Sequence, residues 1–376
     1  MAGIYVHFPF CKSRCNYCDF FSSSRDDDKM KSYVDAVCRE AVARKNYLKG
    51  QPINTVYFGG GTPSRIPVRF LEAIVESLDL PKVQFTREIT LEVNPDDISE
   101  DYMDSIYDKP FNRFSIGVQS FDDGELVLLG RRHNAQTAYE AVKRIKNRGY
   151  RNISIDLMYG LPSQTVDVWT ETVKQALTLG VQHISAYHLT YERGTPLCNL
   201  VQQKILSKLD EDTSIQMFNI LIDTLTEAGF EHYEISSFAK PGFYSKHNSG
   251  YWNGTHYIGL GAAAHSYNGH SRQWNVASIT DYIASEHDKP YGFERIGEKE
   301  AYNDFIMTRL RTENGICLSE LLSRFGKDKY DHCIFIARKY IENKRLQRVE
   351  DHLKLTRYGI FISDLIISDL MITANI

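Results

Sequence analysis

Residues 4–20, IYVHFPFCKSRCNYCDF, place three cysteines directly after a short run of β-forming residues at 4–8. Cys11, Cys15 and Cys18 form the spacing C-x3-C-x2-C. Disulfide pairing in so tight a group would leave one thiol unpaired, and structural zinc usually takes four ligands, often as two separated pairs. Clustered thiolates repel one another unless cations neutralise them, so the spacing favours an iron-sulfur cluster with one iron left without a protein ligand. Zinc completed by a distant histidine is the alternative.

Up to about residue 190, β-rich runs alternate with longer helical patterns, which is typical of repeated β-α units around a parallel sheet. The predicted strands are residues 4–8, 55–58, 89–94, 113–118, 153–158 and 183–189. The predicted helices between them are residues 29–47, 68–78, 135–147 and 169–179. Periodicity alone does not choose between a barrel and an open doubly wound sheet, but in both the ligands bind at the carboxyl ends of the strands.

The pattern changes after residue 190. A helix is predicted at 212–228, and a stretch rich in glycine, histidine and aromatic residues follows at 233–274. The last part has helical spacing at 302–310, 318–325 and 333–344, then a β-like stretch at 346–355. This predicts a small helical, winged-helix-like domain. Its second helix has no dense basic face, so we do not expect it to bind DNA.

Composition narrows the class of protein. The 376 residues are 42% apolar and 24% charged, as in ordinary globular proteins. Lys and Arg number 44 against 48 Asp and Glu, and this balance argues against nucleic acid as a partner. The amino terminus has no basic stretch before an apolar run, and no window approaches the ~20 apolar residues of a membrane span. We therefore expect a cytoplasmic protein, with peripheral membrane contact left open.

Polar residues follow the predicted strands in a regular order. FGGGTPS at residues 58–64 contains three consecutive glycines, which let a backbone approach a ligand closely. The phosphate-loop patterns G-x-G-x-x-G and G-x-x-x-x-G-K are absent. Glu92, Gln119 and Asp156 offer hydrogen-bond acceptors, and Arg131 offers a guanidinium group that can pair with a carboxylate. Taken singly, each residue equally fits a strand-end cap or a surface ion pair.

The segment YVHFPFCKSRCNYCDF resembles the radical S-adenosylmethionine (SAM) superfamily and, within it, the coproporphyrinogen III dehydrogenase-like group. The resemblance implies an α/β fold with a partial (β/α)6 barrel, a 4Fe-4S cluster on the three cysteines, and SAM on the remaining iron. It implies a core barrel over residues 1–230, a connecting segment over 231–295 and a carboxyl-terminal domain over 296–376. The SAM-binding positions that it implies are Tyr5, Tyr17, Gly60, Gly61, Thr62, Glu92, Gln119, Arg131, Asp156 and the backbone near Ala186.

Two features separate branches of this group. Coproporphyrinogen dehydrogenases typically have a fourth cysteine two positions after the third, where this chain has Phe20. A related branch of haem chaperones is marked by the motif H-N-x-x-Y-W, which His247, Asn248, Tyr251 and Trp252 match. An imidazole can ligate haem iron and aromatic rings can stack on a porphyrin, so these four are candidate haem contacts. The alternative is a structural role in the core.

The resemblance therefore implies a haem chaperone that binds a 4Fe-4S cluster, SAM and haem, and transfers haem to acceptor proteins such as membrane-associated respiratory haem proteins. The alternative is an oxygen-independent coproporphyrinogen III dehydrogenase that forms protoporphyrinogen IX by radical oxidative decarboxylation. Enzymatic activity and a homodimer are left open. His265 is expected to be structural, and Cys38, Cys198, Cys317 and Cys333 are expected to be small buried apolar residues.

Overall fold

The computed structural model describes residues 1–24, 26–80, 87–287 and 289–373. Its centre is a set of six parallel strands in chain order, and all six predicted strands are confirmed to within two residues at each end. These strands are β1 (Ala2–Phe8), β2 (Ile53–Gly60), β3 (Glu88–Val93), β4 (Arg113–Gln119), β5 (Asn152–Tyr159) and β6 (His183–His188).

The helices between and after these strands are of two kinds. The long ones match the predicted helices: α1 (Met30–Ala43), α2 (Val68–Ser77), α5 (Ala135–Asn147), α6 (Val166–Thr178) and α8 (Glu211–Glu227). The end of α1 was predicted too late, at residue 47. The short ones were not predicted: α3 (Glu100–Ile106), α4 (Asp123–Leu128) and α7 (Pro196–Gln202). A helix of about two turns has too few residues to show an apolar period. Three 3-10 turns lie at Asp27–Lys29, Pro63–Arg65 and Pro95–Asp97.

The two faces of the parallel strands differ in polarity. Alternate side chains point to opposite faces of a strand. Buried apolar residues such as Phe58, Leu91 and Ile155 form one face of the sheet, and polar residues such as Glu92 and Asp156 form the other. Residues that follow β1 and residues of β6 line one cavity on the polar face. The sheet therefore curves around this cavity, and the predicted partial barrel is confirmed.

The segment predicted to connect the two domains extends the sheet at both edges. It contains β7 (Glu231–Glu234), β8 (Ser237–Ala239), α9 (Lys246–Trp252), β9 (His256–Leu260), β10 (His265–Tyr267), β11 (Ser271–Trp274), α10 (Ile279–Ala284) and β12 (Gly292–Arg295). The order of the 12-stranded sheet is β12-β11-β10-β9-β1-β2-β3-β4-β5-β6-β8-β7. β9 runs parallel to β1, and β8 runs antiparallel to β6. The barrel is therefore open between β6 and β1.

The carboxyl-terminal part folds around a core of its own, in which Tyr302, Leu321 and Leu353 are buried. Its elements are α11 (Glu298–Leu310), β13 (Ile316–Cys317), α12 (Leu318–Glu342), β14 (Leu346–Val349), β15 (His352–Leu355), α13 (Arg357–Ile360) and α14 (Ser363–Leu370). The strands form a small antiparallel sheet, and the β14–β15 hairpin is the predicted wing. The final residues, 374–376, lie outside the described part of the chain.

One helix prediction in this domain was wrong in part. Residues 318–325 and 333–344 were predicted as separate helices, but α12 spans Leu318–Glu342 with a break at Gly326, whose φ is +80°. The first predicted helix does end at this glycine. The second begins well before residue 333. The prediction missed its first turns because their sequence, KDKYDH, is largely polar and shows no apolar period. Within the described residues, no helix combines the length and the hydropathy of a membrane-spanning segment.

Candidate functional site

A cavity of about 470 Å³ opens at the carboxyl ends of the six parallel strands. Cys11, Cys15 and Cys18 line it, and all three are free thiols with partly exposed side chains. Such a volume lies within the ordinary range for small-molecule sites. Within the described residues, no three His, Cys, Asp or Glu side chains converge where a single metal ion could sit. The three thiols instead stand around a shared space, as the ligands of a multi-iron cluster do, since each binds a different iron.

A chain of hydrogen bonds connects two of these cysteines. Arg131 Nη1 donates to Cys15 Sγ at 3.3 Å, and its Nη2 donates to Asn94 Oδ1 at 2.6 Å. Asn94 Nδ2 donates to Thr62 Oγ1 at 3.3 Å, and that hydroxyl donates to Cys11 Sγ at 3.6 Å. The loop that bears the cysteines is therefore held to residues that follow β2, β3 and α4. Asn94 was not predicted as a site residue, because an isolated asparagine after a strand is an ordinary turn residue.

The protonation of the thiols depends on what occupies the cavity. Burial raises the pKa of Cys11, and it raises the pKa of Cys18 to about 11. The thiolate is the form that binds a metal, so these cysteines need a cationic partner in order to ionise near neutral pH. Iron ions in a cluster supply that charge, and the donor set therefore fits an iron-sulfur cluster.

Eight of the ten predicted SAM-binding residues line this cavity. They are Tyr17, Gly60, Gly61, Thr62, Glu92, Gln119, Arg131 and Asp156. Tyr5 and Ala186 do not line it. The side chain of Ala186 lies with Ile184 on the apolar face of β6, whereas its neighbour Tyr187 lines the cavity. Ser115, Met158 and Tyr187 also line it and were not predicted, because no local pattern marks them as polar strand ends.

Two carboxyl groups face the cavity from neighbouring levels of the barrel. Burial raises the pKa of Glu92 to about 7 and the pKa of Asp156 to about 6. Tyr57 donates to Glu92 Oε1 at 2.6 Å, and the Gly60 N–H donates to Glu92 Oε2 at 3.1 Å. Both bonds favour the ionised form. Carboxylates held in this way can accept hydrogen bonds from ligand hydroxyls.

Arg131 retains capacity for a ligand. Besides Asn94 and Cys15, its guanidinium donates to the Gly117 carbonyl at 2.7 Å. Its Nε is buried and has no hydrogen-bond partner within the described residues. Arg131 lines the cavity, so the charge of its guanidinium group is available to a ligand carboxylate there. Gln119, on the same wall, adopts a φ of +72°, a strained value of the kind often found at functional sites.

The glycine run has a cause within the protein itself. Gly60 has a φ of +106°, and a Cβ there would lie 2.6 Å from the His7 ring. A Cβ on Gly61 would lie 2.7 Å from the Phe8 carbonyl oxygen. Packing against β1 therefore requires glycine at both positions. These glycines were predicted from the close approach of a ligand, and the packing is a second reason for them.

Two aromatic residues of the cysteine loop differ in environment. Tyr17 packs on the small apolar cluster that includes Leu129 and Met158, and it also lines the cavity. Phe20, which stands where the related dehydrogenases have a cysteine, lies at the cavity with 65% of its surface exposed. The described lining of the cavity thus contains three cysteines, and the exposed ring of Phe20 occupies the position of the fourth cysteine of the related dehydrogenases.

The predicted haem motif lies at the other end of the barrel. His247 and Tyr251 line a second cavity of about 370 Å³ at the amino ends of the strands, together with Gly3 and Thr55. The motif forms α9, whose backbone N–H groups at Lys246 and His247 donate to the Glu88 carboxylate. Asn248 and Trp252 do not line this cavity. Trp252 instead contacts the carboxyl-terminal domain, since its carbonyl accepts from Arg309 and its ring lies 6.0 Å from the Arg311 guanidinium.

His247 is buried, with both ring nitrogens engaged. Nδ1 hydrogen-bonds with Thr55 Oγ1 at 2.8 Å, and Nε2 hydrogen-bonds with the Tyr251 hydroxyl at 2.9 Å. Burial lowers its pKa to about 3, so the ring is neutral. To ligate haem iron, His247 would have to give up one of these bonds.

The remaining predictions for individual residues have mixed outcomes. Cys198 and Cys333 are buried as predicted, but Cys38 and Cys317 are partly exposed and the prediction was wrong for them. Cys317 ends the two-residue strand β13, where its Sγ lies 3.3 Å from the Ser319 hydroxyl. His265 is exposed and stacks on Trp274, with ring centroids 5.9 Å apart.

Comparison with known proteins gives two family matches within the chain. The model of the Radical SAM superfamily matches residues 5–176, and the model of the HemN C-terminal domain matches residues 296–362. The first region contains most of β1 and all of β2 to β5, whereas β6 lies beyond its end. The second contains the small domain from α11 to α13.

Relatives match over most of the chain. A protein named heme chaperone HemW from Bacillus subtilis is 31% identical over 365 residues, which are 96% of this chain and 96% of the relative. One of the same name from Lactococcus lactis is 33% identical over 326 residues, 85% of this chain and 84% of the relative. Among solved structures, coproporphyrinogen III oxidase (HemN) from Escherichia coli has a TM-score of 0.85 at 20% identity. The match covers 99% of this chain and 90% of the HemN chain. The latter similarity shows a shared fold.

Proposed function

The chain belongs to the heme chaperone HemW family within the radical SAM superfamily, and on this premise we propose that it is a haem chaperone. It holds a 4Fe-4S cluster and SAM in the barrel, binds haem and passes the haem to an acceptor haem protein. Membrane-associated respiratory haem proteins are the acceptor class that we propose.

The observation that carries the cofactor part of this proposal is the single cavity that Cys11, Cys15 and Cys18 share with eight SAM-site candidates. The cysteines would hold the cluster, whose open coordination position and electrons are what it supplies when bound. Arg131 would pair with the SAM carboxylate in a charge-assisted contact, because its guanidinium group lines the cavity. Glu92 and Asp156 would accept hydrogen bonds from the ribose hydroxyls, because both carboxyl groups face the same space.

The haem part rests on the family and on the motif of His247, Asn248, Tyr251 and Trp252. Aromatic residues around the second cavity, Tyr244, Tyr251 and Tyr257, offer apolar surface for a porphyrin. Phe20 supports the chaperone over coproporphyrinogen dehydrogenase activity, since it replaces the cysteine typical of that enzyme beside the cluster cavity.

The cluster is tested with Cys15→Ser. We expect anaerobically reconstituted wild-type protein to contain about four irons per chain and the variant to lose most of its iron and its brown colour, because two thiolates hold a cubane poorly. Cys198→Ser is the matched control, since Cys198 is a buried cysteine that does not line the cavity. Full iron content in Cys15→Ser would contradict the assignment.

The chaperone function is tested by titrating reconstituted protein with haem and then adding an apo haem protein. We expect stoichiometric binding in the absorption spectrum, followed by transfer of the haem to the acceptor. Conversion of coproporphyrinogen III to protoporphyrinogen IX in the presence of SAM and a reductant, without haem binding, would instead establish the alternative activity.

A further inference from the structure

We propose that His247 is a positioning residue for the SAM site: its imidazole holds the ring of Tyr57, and Tyr57 in turn holds the Glu92 carboxylate at the cavity. The inference rests on the proposed SAM site and makes no use of where haem binds. The H-N-x-x-Y-W motif lies at the amino ends of the strands. Its histidine would thus act on a site at their carboxyl ends.

The first step is the contact between His247 and Tyr57. The two rings are stacked, with centroids 5.0 Å apart and planes 29° apart. Thr55 and Tyr57 project from the same face of β2, because they are two residues apart. Thr55 hydrogen-bonds with His247 Nδ1 while Tyr57 packs on the imidazole. One histidine therefore contacts two successive inward positions of this strand.

The second step is the rigidity of His247. Tyr251 engages its Nε2, and Glu88 accepts from its backbone N–H at 3.1 Å. A Cβ on Gly3 would lie 3.3 Å from the imidazole, so β1 closes against the ring as well. The backbone of His247 is thus held from β3 and its side chain from β1, β2 and α9, so the imidazole has one orientation and fixes the ring that it touches.

The third step leads from Tyr57 to the cavity. Tyr57 is 8% exposed, and its hydroxyl donates to Glu92 Oε1 at 2.6 Å. Glu92 in turn lines the cavity with the cysteines. The charges of Asp156 and Arg113 affect the pKa of Glu92, but neither residue makes a hydrogen bond to it among the described contacts. Tyr57 and the Gly60 N–H are therefore the groups that orient this carboxylate.

The barrel also contains a closely matched comparison. His183 is fully buried, and it hydrogen-bonds with Ser154 Oγ at 2.8 Å and with the Tyr233 hydroxyl at 2.7 Å. It thus has the same kinds of hydrogen-bond partner as His247. Its imidazole, however, packs on the ring of Tyr233 rather than on that of Tyr57. A substitution at His183 removes equivalent hydrogen bonds without touching the path to Glu92.

The experiment is a double-mutant cycle on SAM affinity, measured by calorimetry with the anaerobically reconstituted full chain. We expect Tyr57→Phe to raise the Kd for SAM roughly five- to tenfold, as loss of one hydrogen bond to a charged group does. His247→Gln should raise it by a similar factor in the wild-type background and by less than about twofold in the Tyr57→Phe background. His183→Gln should leave the Kd within about twofold.

Two further readouts separate positioning from a general loss of stability. Removing the Tyr57 hydroxyl disfavours the ionised form of Glu92, so the pH midpoint of SAM binding should move upward in Tyr57→Phe and in His247→Gln but not in His183→Gln. The free energy of unfolding should fall by similar amounts in His247→Gln and His183→Gln, because the two histidines make the same kinds of hydrogen bond. If His247→Gln does not fold, Tyr251→Phe frees Nε2 while keeping the stacked ring, and its smaller rise in Kd should vanish in the Tyr57→Phe background.

Independent, multiplicative effects of the Tyr57 and His247 substitutions would overturn the inference. Loss of haem binding with unchanged SAM affinity in His247→Gln would also overturn it and identify the histidine as a haem contact. A wild-type protein that binds no SAM would overturn the proposed function, and the inference with it, so the two failures are distinguishable.

Discussion

Glu92 is a residue whose ionisation is set by opposing effects. Burial and the nearby carboxyl group of Asp156 raise its pKa, and hydrogen bonds from Tyr57 and the Gly60 N–H oppose that rise. The net result is a pKa of about 7. A SAM ribose at Glu92 needs the ionised carboxylate as acceptor. The affinity of the site for SAM should therefore depend on pH in the physiological range.

We expect SAM affinity to fall as the pH is lowered through about 7, approaching tenfold per pH unit below the pKa of Glu92, because the protonated form loses acceptor capacity. Glu92→Gln should bind SAM weakly and lack this part of the pH dependence. The measurement is calorimetric titration from about pH 6 to about pH 8.5, a range that spans this pKa.

Glu125→Gln is the control for that titration. Burial also raises the pKa of Glu125, but this residue does not line the cluster cavity. Its profile should match that of the wild type. A Glu92→Gln profile parallel to the wild-type one would remove Glu92 from the SAM site.

At the scale of elements, the turn after β2 depends on β1. The Gly61 N–H donates to the Phe8 carbonyl at 2.6 Å, and the Thr62 N–H donates to the Phe10 carbonyl at 2.9 Å. These bonds set Thr62 beside Cys11. The positive φ of Gly60 makes the turn possible, and the His7 ring occupies the space where a side chain would be.

Gly60→Ala should destabilise the protein by roughly 2–3 kcal/mol, from backbone strain together with the clash of Cβ with His7. It should also weaken SAM binding, because the Gly60 N–H orients Glu92. Denaturant unfolding measures the first effect and calorimetry the second.

Gly149→Ala separates the two contributions to stability. Gly149 has a φ of +88°, and a Cβ at this position would meet no atom within 4 Å, so only the backbone strain of about 1 kcal/mol applies there. Equal losses in the two variants would mean that the contact with His7 is not costly.

At the scale of the whole molecule, apolar and polar contacts attach the small domain to the barrel. The ring of Phe361 packs on that of Phe218 in α8, with centroids 5.3 Å apart. Arg357 Nε donates to Asn219 Oδ1 at 2.5 Å, Nη1 donates to Asp223 Oδ1 at 2.6 Å, and Nη2 donates to the Asn219 carbonyl at 2.8 Å, all on α8. Arg309 reaches the Trp252 carbonyl at the end of the motif helix. The H-N-x-x-Y-W motif is thus in contact with both parts of the molecule.

Arg357→Ala should weaken this attachment by about 1–2 kcal/mol, since several hydrogen bonds are lost at a partly exposed site. In scanning calorimetry we expect the unfolding transition of the small domain to move to lower temperature or to separate from that of the barrel. Lys327→Ala, which removes the exposed ion pair with Asp331 inside α12, should change stability by no more than about 0.5 kcal/mol. Identical melting of both variants would show that Arg357 does not couple the two parts.

The sequence by itself determined the six parallel strands, the long helices between them and the cysteine loop after β1, because these depend on local periodicity and spacing. It also located the edge of the sheet at which Glu92, Arg131 and Asp156 line one cavity, since parallel strands place their carboxyl ends at the same edge. Short elements such as α9 and β9 carried too few residues for a periodic signal.

Only the folded chain shows which residues reach the cavity. Tyr5 lies inside the barrel, stacked on Tyr57, but does not line the cavity, whereas the Ala186 side chain lies on the apolar face of β6. Tertiary structure also decided that His247 lies against Tyr57, although the two are far apart along the chain. Contacts of this kind come from the curvature of the sheet and from the packing of distant segments. Their contribution to stability depends on burial, which exists only in the folded chain. Local sequence patterns report the elements, whereas the partners of a buried polar side chain depend on the whole fold.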